Sequence, residues 1–316
     1  MRLLRHLSDL TAGDLGEGSV VSIGAFDGLH IGHEQLLEKV KAGSQDLKLP
    51  SVIMSFEPTP GEFFSSEKPP ARLMRFREKF EALAAHGIDW FYCPRFDGSM
   101  RDISAQDFIR RILVHGLQAR HIVVGDDFHF AKRREGTIED LRSSAQLLEF
   151  AVEQVPSFIV ADTRVSSTAI RKALWDGDLQ RATSLLGRPY RMSGPVIVGQ
   201  KVGRTLGYPT ANVDLRRRQS PVMGIFAVRV SGLEGQSLYG VASVGTRPTF
   251  DGTKPLLEVH IFDFDRDIYG QYIHVDFIAR LRSEIKYDEV DELVAQMHRD
   301  ADNARTALAI ADAQSG

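Results

Sequence analysis

Apolar and polar positions fall into two textures along this chain. From about residue 19 to residue 155, short β-branched and aromatic runs alternate with stretches in which apolar residues recur every three or four positions. That alternation predicts an α/β domain, a parallel sheet covered by helices. Residues 20–23, 51–56, 90–92 and 121–125 read as strands, and 34–40, 76–86 and 105–115 as helices. Pro58, Pro60, Gly61, Pro69 and Pro70 make 57–72 an irregular excursion, either a functional loop or an ordinary surface one. A helix at 168–175 stops at Asp176-Gly177, and a second short one reaches Leu186 before Gly187-Arg188-Pro189.

Beyond that point the pattern shortens to turns, such as Ser193-Gly194, and strands at 195–198, 224–230, 238–244, 256–262 and 272–279. This predicts a small β-barrel or sandwich. A charged amphipathic stretch at 288–308 reads as a helix packed on its outside. The boundary is placed near residue 186, giving domains 1–186 and 187–316.

A length of 316 residues suits two cores. The net charge of −3 offers no general attraction for nucleic acid or an anionic membrane, so anionic ligands must be held by local groups. A single cysteine, Cys93, excludes an intrachain disulfide and fits a reducing compartment. Residues 1–10 carry neither a signal-peptide core nor a spanning segment, which predicts a soluble, cytoplasmic protein. The sequence leaves the oligomeric state open.

The first chemically loaded segment follows the first strand: Gly24, Phe26, Asp27, Gly28, His30, Gly32 and His33 lie within ten residues. It occupies the carboxyl end of a strand and the start of a helix, where backbone N–H groups and the helix dipole favour phosphate. His30 and His33, three apart, share one side of the helix start. A single such histidine is usually structural; two beside three glycines predict a triphosphate site. There is no Walker motif and no dinucleotide Gly-x-Gly-x-x-Gly.

This segment resembles the HxGH signature of the nucleotidylyltransferase superfamily, and its Phe-Asp-Gly flank resembles FAD synthetases. The run from Val165 to Arg171 resembles the same family's Ser-Ser-Thr-x-Ile-Arg motif. On their own its hydroxyls are simply good helix caps. The resemblance implies that Ser166, Ser167, Thr168 and Arg171 embrace the ATP phosphates and stabilise the leaving pyrophosphate. Val124 to Phe130, with Gly125 and Asp127, resembles a third block, normally continued by glycine where Ala131 stands here. If that backbone needs a positive φ, alanine is strained. Lys132-Arg133-Arg134 is a solvated charge run or a phosphate contact.

The second loaded segment runs from Gly203 through Gly207 to Pro209-Thr210-Ala211-Asn212. Pro209 excludes a helix interior, so Thr210 and Asn212, two apart in extended chain, project to one side. Their oxygens are hard ligands suited to nucleotide-borne Mg²⁺, although the same four residues also make an ordinary turn. At 256–262, Leu257, Val259 and Ile261 face one way while Glu258 and His260 face the other.

The glycine-rich turn and Pro-Thr-Ala-Asn resemble riboflavin kinases, with further matching blocks at 240–250, 258–262 and 267–270. The resemblance implies that Glu258 is the base for the ribityl hydroxyl, that Thr210 and Asn212 hold Mg²⁺, and that 280–284, with Arg282, is a post-barrel loop closing over flavin. The last segment also reads as a cluster of exposed ion pairs. Taken together, the two halves resemble the bifunctional bacterial riboflavin kinase/FMN adenylyltransferases. The family implies riboflavin, FMN, FAD and ATP as ligands. Two alternatives remain: a kinase whose first domain only binds nucleotide, suggested by Ala131 and by Thr59 where relatives carry histidine, and a flavin carrier.

Overall fold

The computed structural model describes residues 1–65, 67, 69–199, 203, 206–233, 235–249 and 252–315. Arg204 and Thr205 of the glycine-rich turn, and Phe250 of the block after it, lie outside the described residues. The chain divides into two compact units, Met1–Pro70 with Met74–Ser166, and Ala71–Leu73 with Ser167–Gly316.

In the first unit, β1 (Arg2–Leu4), β2 (Ser19–Ile23), β3 (Ser51–Met54), β4 (Trp90–Tyr92), β5 (Ala119–Gly125) and β6 (Ala151–Val155) form one sheet in the order β1-β4-β3-β2-β5-β6. Every pairing is parallel. The two strands without a strong sequence signal are the edges, the three-residue β1 and the half-polar β6.

Side chains alternate between two cores, as a pleated strand requires. Val21, Ile23, Val52, Met54, Ile122 and Val124 enter one, while Val20, Ile53, Phe91 and Val123 enter the other. The helices are α1 (Ile31–Leu47), α2 (Pro60–Phe64), α3 (Phe76–Ala85), α4 (Gly98–Asp102), α5 (Ala105–Asp107) and α6 (Ile138–Leu148). Leu37 and Val40 of α1 and Leu83 of α3 close the second core. The single helix expected at 105–115 is interrupted: α5 passes into a wider winding over Phe108–Val114, where the His115 amide reaches the Arg110 carbonyl five residues back at 2.8 Å. Strand order reverses between β2 and β5, the topological switch point where open α/β sheets bind ligands outside their carboxyl ends. A separate hairpin, β7 (Ile159–Val160) with β8 (Thr163–Arg164), ends the unit.

The second unit holds α7 (Ser167–Asp176), α8 (Leu179–Leu186) and a closed antiparallel barrel. Its strands are β9 (Tyr190–Ile197), β10 (Ala211–Val213), β11 (Gly224–Leu233), β12 (Gln236–Thr249), β13 (Gly252–Ile261) and β14 (Tyr272–Arg282), arranged β10-β13-β12-β11-β14-β9. Ser193-Gly194 is not the expected turn. It lies inside β9, paired with His274 and Ile273, because Gly194 passes so close to the Asp214 backbone that a Cβ would sit 2.6 Å from its carbonyl. Nor is 280–284 wholly a loop, since Arg280 and Arg282 end β14.

The C-terminal helix α9 (Val290–Ser315) lies along the outer face of this barrel, as expected. Ala304 and Leu308 pack on Ala227 and Phe262. Near the helix end, Asp312 accepts from Arg229 (2.6 Å) and from the Tyr239 hydroxyl.

Candidate active sites

The first site grows from the end of β2. The chain leaves Ile23 through Gly24 and turns back with two non-glycine residues at positive φ, Phe26 (46°) and Leu29 (42°), both buried. Residues held so are strained and persist only where surrounding packing fixes them. Asp27, 5% exposed, pins the turn by accepting the Met74 amide at 2.8 Å.

His30 caps α1, its Nδ1 accepting the His33 amide at 3.3 Å. That bond leaves Nδ1 without a proton and puts the ring's N–H on Nε2. The two imidazoles stack with centroids 3.6 Å apart. Burial pushes His30 down to about 4, against the pull of Asp27 and Asp127. Burial, then the His30 and Lys79 charges, push His33 well below the usual imidazole range. Both rings are therefore neutral near pH 7. His33 Nδ1 is buried and has no hydrogen-bond partner among the described residues.

Across the switch point, β5 ends at Gly125, and Asp127 comes near enough to His30 to act on its charge. Ala131 does hold a positive φ (63°, with ψ −169°), a region essentially reserved for glycine. Lys132, Arg133 and Arg134 are exposed. The Thr59 hydroxyl is used locally: it caps α2, accepting the Glu62 amide at 3.3 Å and donating to the Glu62 carboxylate at 3.0 Å.

The excursion after β3 also carries aromatics that the sequence did not single out. Phe63 and Phe64 stand edge-on to Phe96, with centroids at 5.2 and 5.9 Å, and Phe64 is 64% exposed.

Ser166 is the last residue of the first unit, whereas Ser167, Thr168 and Arg171 stand on the first turns of α7 in the second. Thr168 is exposed, and the half-buried Arg171 donates from Nε to the Ala71 carbonyl at 2.7 Å.

The second site is built by strand register. Asn212 on β10 pairs with Glu258 on β13, Glu258 with Ser243 on β12, Ser243 with Ile225 on β11, and Ile225 with Arg282 on β14. Paired residues share a face. Three residues drawn from three separate motifs thus stand in one transverse row on the outside of the barrel. Leu257, Val259 and Ile261 point to the interior, as expected.

Asn212 is 8% exposed and packs so closely on Gly199 that no side chain fits there. The preceding turn is equally tight. The Gly203 carbonyl accepts from Leu206 (3.2 Å) and Tyr208 (2.8 Å), and Gly207 sits at φ 82°. The carbonyl of Pro209, next to Thr210, is bound by His260 Nδ1 at 2.9 Å, and the Tyr208 hydroxyl meets His298 of α9. Sequence reading missed His298 and Tyr208 as supports.

Arg282 is committed to a fork on buried Asp300, with Nε–Oδ1 at 2.9 Å and Nη2–Oδ2 at 2.6 Å. Among the described residues no cluster of three or more His, Cys, Asp or Glu side chains could hold a metal, and no helix is long and apolar enough to cross a membrane.

Comparison with known proteins separates the same two halves. The FAD synthetase family model matches residues 14–169, and the riboflavin kinase model matches residues 186–308. The bifunctional riboflavin kinase/FMN adenylyltransferase of Escherichia coli K12 is 44% identical, covering 96% of this chain and 97% of its own length. That of Haemophilus influenzae is 41% identical, covering 96% and 98%. A solved structure titled as a macrolide-efflux protein from Streptococcus pneumoniae is 33% identical, with a TM-score of 0.81 over 96% of this chain and 98% of that one. With both family models in tandem and curated relatives this similar from end to end, the chain belongs to the family of bifunctional riboflavin kinase/FMN adenylyltransferases.

Proposed function

We propose that residues 187–316 phosphorylate riboflavin to FMN and that residues 1–186 adenylylate FMN to FAD, each with ATP. The observation that carries the kinase assignment is the transverse row, which sets the Glu258 carboxylate beside an oxygen ligand. Glu258 takes the proton from the ribityl 5′-hydroxyl as that oxygen attacks the γ-phosphorus and ADP leaves. The hydroxyl of Thr210 and the amide oxygen of Asn212 suit Mg²⁺ carried in by the nucleotide, and two neutral ligands match a metal that arrives with its own phosphates. When bound, the ion neutralises phosphate charge. Gly203 and Gly207 let the backbone lie close to those phosphates, and Arg282 holds α9 against the row through Asp300.

In the adenylyl half the nucleophile is already an anion, so no base is needed. An FMN phosphate oxygen bonds to the α-phosphorus of ATP, and the bond to pyrophosphate breaks. His30 and His33 supply N–H donors at the helix start, with Gly24, Gly28 and Gly32 giving the backbone room, and Asp27 and Phe26 holding the turn. Gly125 and Asp127 form the opposite lip. The resemblance assigns Ser166, Ser167, Thr168 and Arg171 to the leaving pyrophosphate. Phe63, Phe64 and Phe96 offer an aromatic surface for the flavin ring.

The test is to incubate the chain with riboflavin, ATP and Mg²⁺ and to separate the flavins over time. FMN rising first and FAD following supports both assignments. FMN without FAD contradicts the adenylyl assignment, and no FMN contradicts the kinase one.

A further inference from the structure

Behind the turn that carries the two histidines, an ammonium group is buried. Lys79, on α3, is 4% exposed. Its Nζ donates to the Ala25 carbonyl at 2.5 Å and to Ser55 Oγ at 3.2 Å, and Ser55 Oγ donates to the same carbonyl at 3.1 Å. Ala25 is the exposed residue of that turn, so the lysine grips the backbone where the turn meets solvent.

Removing an ammonium from water is costly, and a methionine of similar length would fill the space without that cost. A buried cation keeps its long-range field, because solvent and salt screen it little. That field reaches the histidine pair, since the Lys79 charge is one of the influences on His33. Lys79 lies one turn from Phe76 and one turn before Leu83, on the side of α3 that packs on the sheet.

We infer that Lys79 is a positioning residue of the adenylyl site, bracing the Ala25 peptide and supplying a fixed positive charge that draws a polyphosphate to the His30–His33 turn. It acts through the turn and does not touch the reacting atoms. The inference rests on the adenylyl-site reading above. It adds a requirement that reading does not contain, namely that charge beneath the loop, and not only donors on it, sets affinity for pyrophosphate and ATP.

The test compares the full chain with Lys79→Gln, which keeps a donor without charge, Lys79→Arg, which keeps charge, and Lys79→Met. Pyrophosphate binding is measured by calorimetry, and the adenylyl-site component is identified as the one lost in His30→Ala. FAD formation from FMN is followed alongside, with the urea unfolding curve as the check on folding of the first unit and riboflavin phosphorylation as the check on the barrel. Pyrophosphate should bind roughly tenfold more weakly to Lys79→Gln and within about threefold of normal to Lys79→Arg. The KM for ATP in FAD formation should rise by a similar factor with little change in kcat, and FMN formation should stay unchanged.

Equal pyrophosphate affinity in Lys79→Gln and the unaltered chain overturns the inference, as does equal weakening by Arg and Gln. If Lys79→Met does not fold, Lys79→Gln decides. If the unaltered chain makes no FAD yet binds pyrophosphate in a Lys79-dependent way, the adenylyl reading fails while the anion site stands.

Discussion

The two candidate sites are assembled in opposite ways. In the first unit the histidines, glycines and aspartate of the turn all come from ten consecutive residues, so one strand-to-helix connection fixes their geometry. In the barrel, Asn212, Glu258 and Arg282 come from strands up to 70 residues apart and meet because five strands share one register. A contiguous loop can hold strained residues such as Phe26 and Leu29 but depends on supports beneath it. A register row needs no strain, yet a slip of one residue would turn every member to the other face.

Four substitutions or conditions sharpen this contrast. The largest effect is expected at Glu258. Glu258→Gln keeps shape and register while removing the base, so riboflavin phosphorylation should fall about 10²- to 10⁴-fold. FMN adenylylation should be unaffected, and both are read by chromatography from separate flavin feeds.

Next, Asn212→Ala should raise the Mg²⁺ concentration needed for half-maximal kinase rate by about tenfold, by loosening one oxygen ligand. Adding a chelator should stop the kinase altogether. A Mg²⁺ titration unchanged by the substitution would remove Asn212 from the metal assignment.

A smaller effect concerns acid. His30 is held at about 4 by burial, against an unfolded value near 6.5. Between those values the unfolded chain binds the extra proton, so stability is full above about pH 6.5 and is lost as pH falls through about 4. Going from pH 7 to pH 5 should cost the first unit about 2 kcal/mol from this group. Urea midpoints at the two pH values should show that loss, and His30→Asn should remove this group's share of it, leaving that of His33.

The smallest effect is at Ala131. Ala131→Gly relieves a backbone geometry costly for alanine and should stabilise the chain by about 1 kcal/mol, read as a higher urea midpoint. A lower midpoint would show that the positive φ is not strained.

How far each site could be read in advance follows from its construction. The histidine turn was legible because local order in sequence becomes local order in space. The positive φ at Ala131 entered the sequence reading only as a condition, suggested by the glycine that the resembling family carries there. The strands at 90–92 and 121–125 carried clear apolar runs, whereas β1 and β6 are edges with little to bury.

The alternation along β13 showed that Glu258 and His260 share a face, but not that Asn212 would stand opposite. Which residues pair is set by bulges and connections over the whole barrel, including the shift near Ile225. The Ser193-Gly194 pair imitated a turn because its glycine answers to Asp214, a neighbour twenty residues away. Lys79 was invisible for a related reason: whether a helix's lysine meets water or a carbonyl depends on what lies above it.

The most direct test of the central claim, that each half carries its own chemistry, gives Glu258→Gln and His30→Ala each riboflavin and FMN separately, with ATP and Mg²⁺, and resolves the flavins formed. The account predicts that Glu258→Gln leaves riboflavin unchanged yet turns FMN into FAD, while His30→Ala turns riboflavin into FMN and stops there. Loss of both conversions in either variant, with the fold intact, would contradict it.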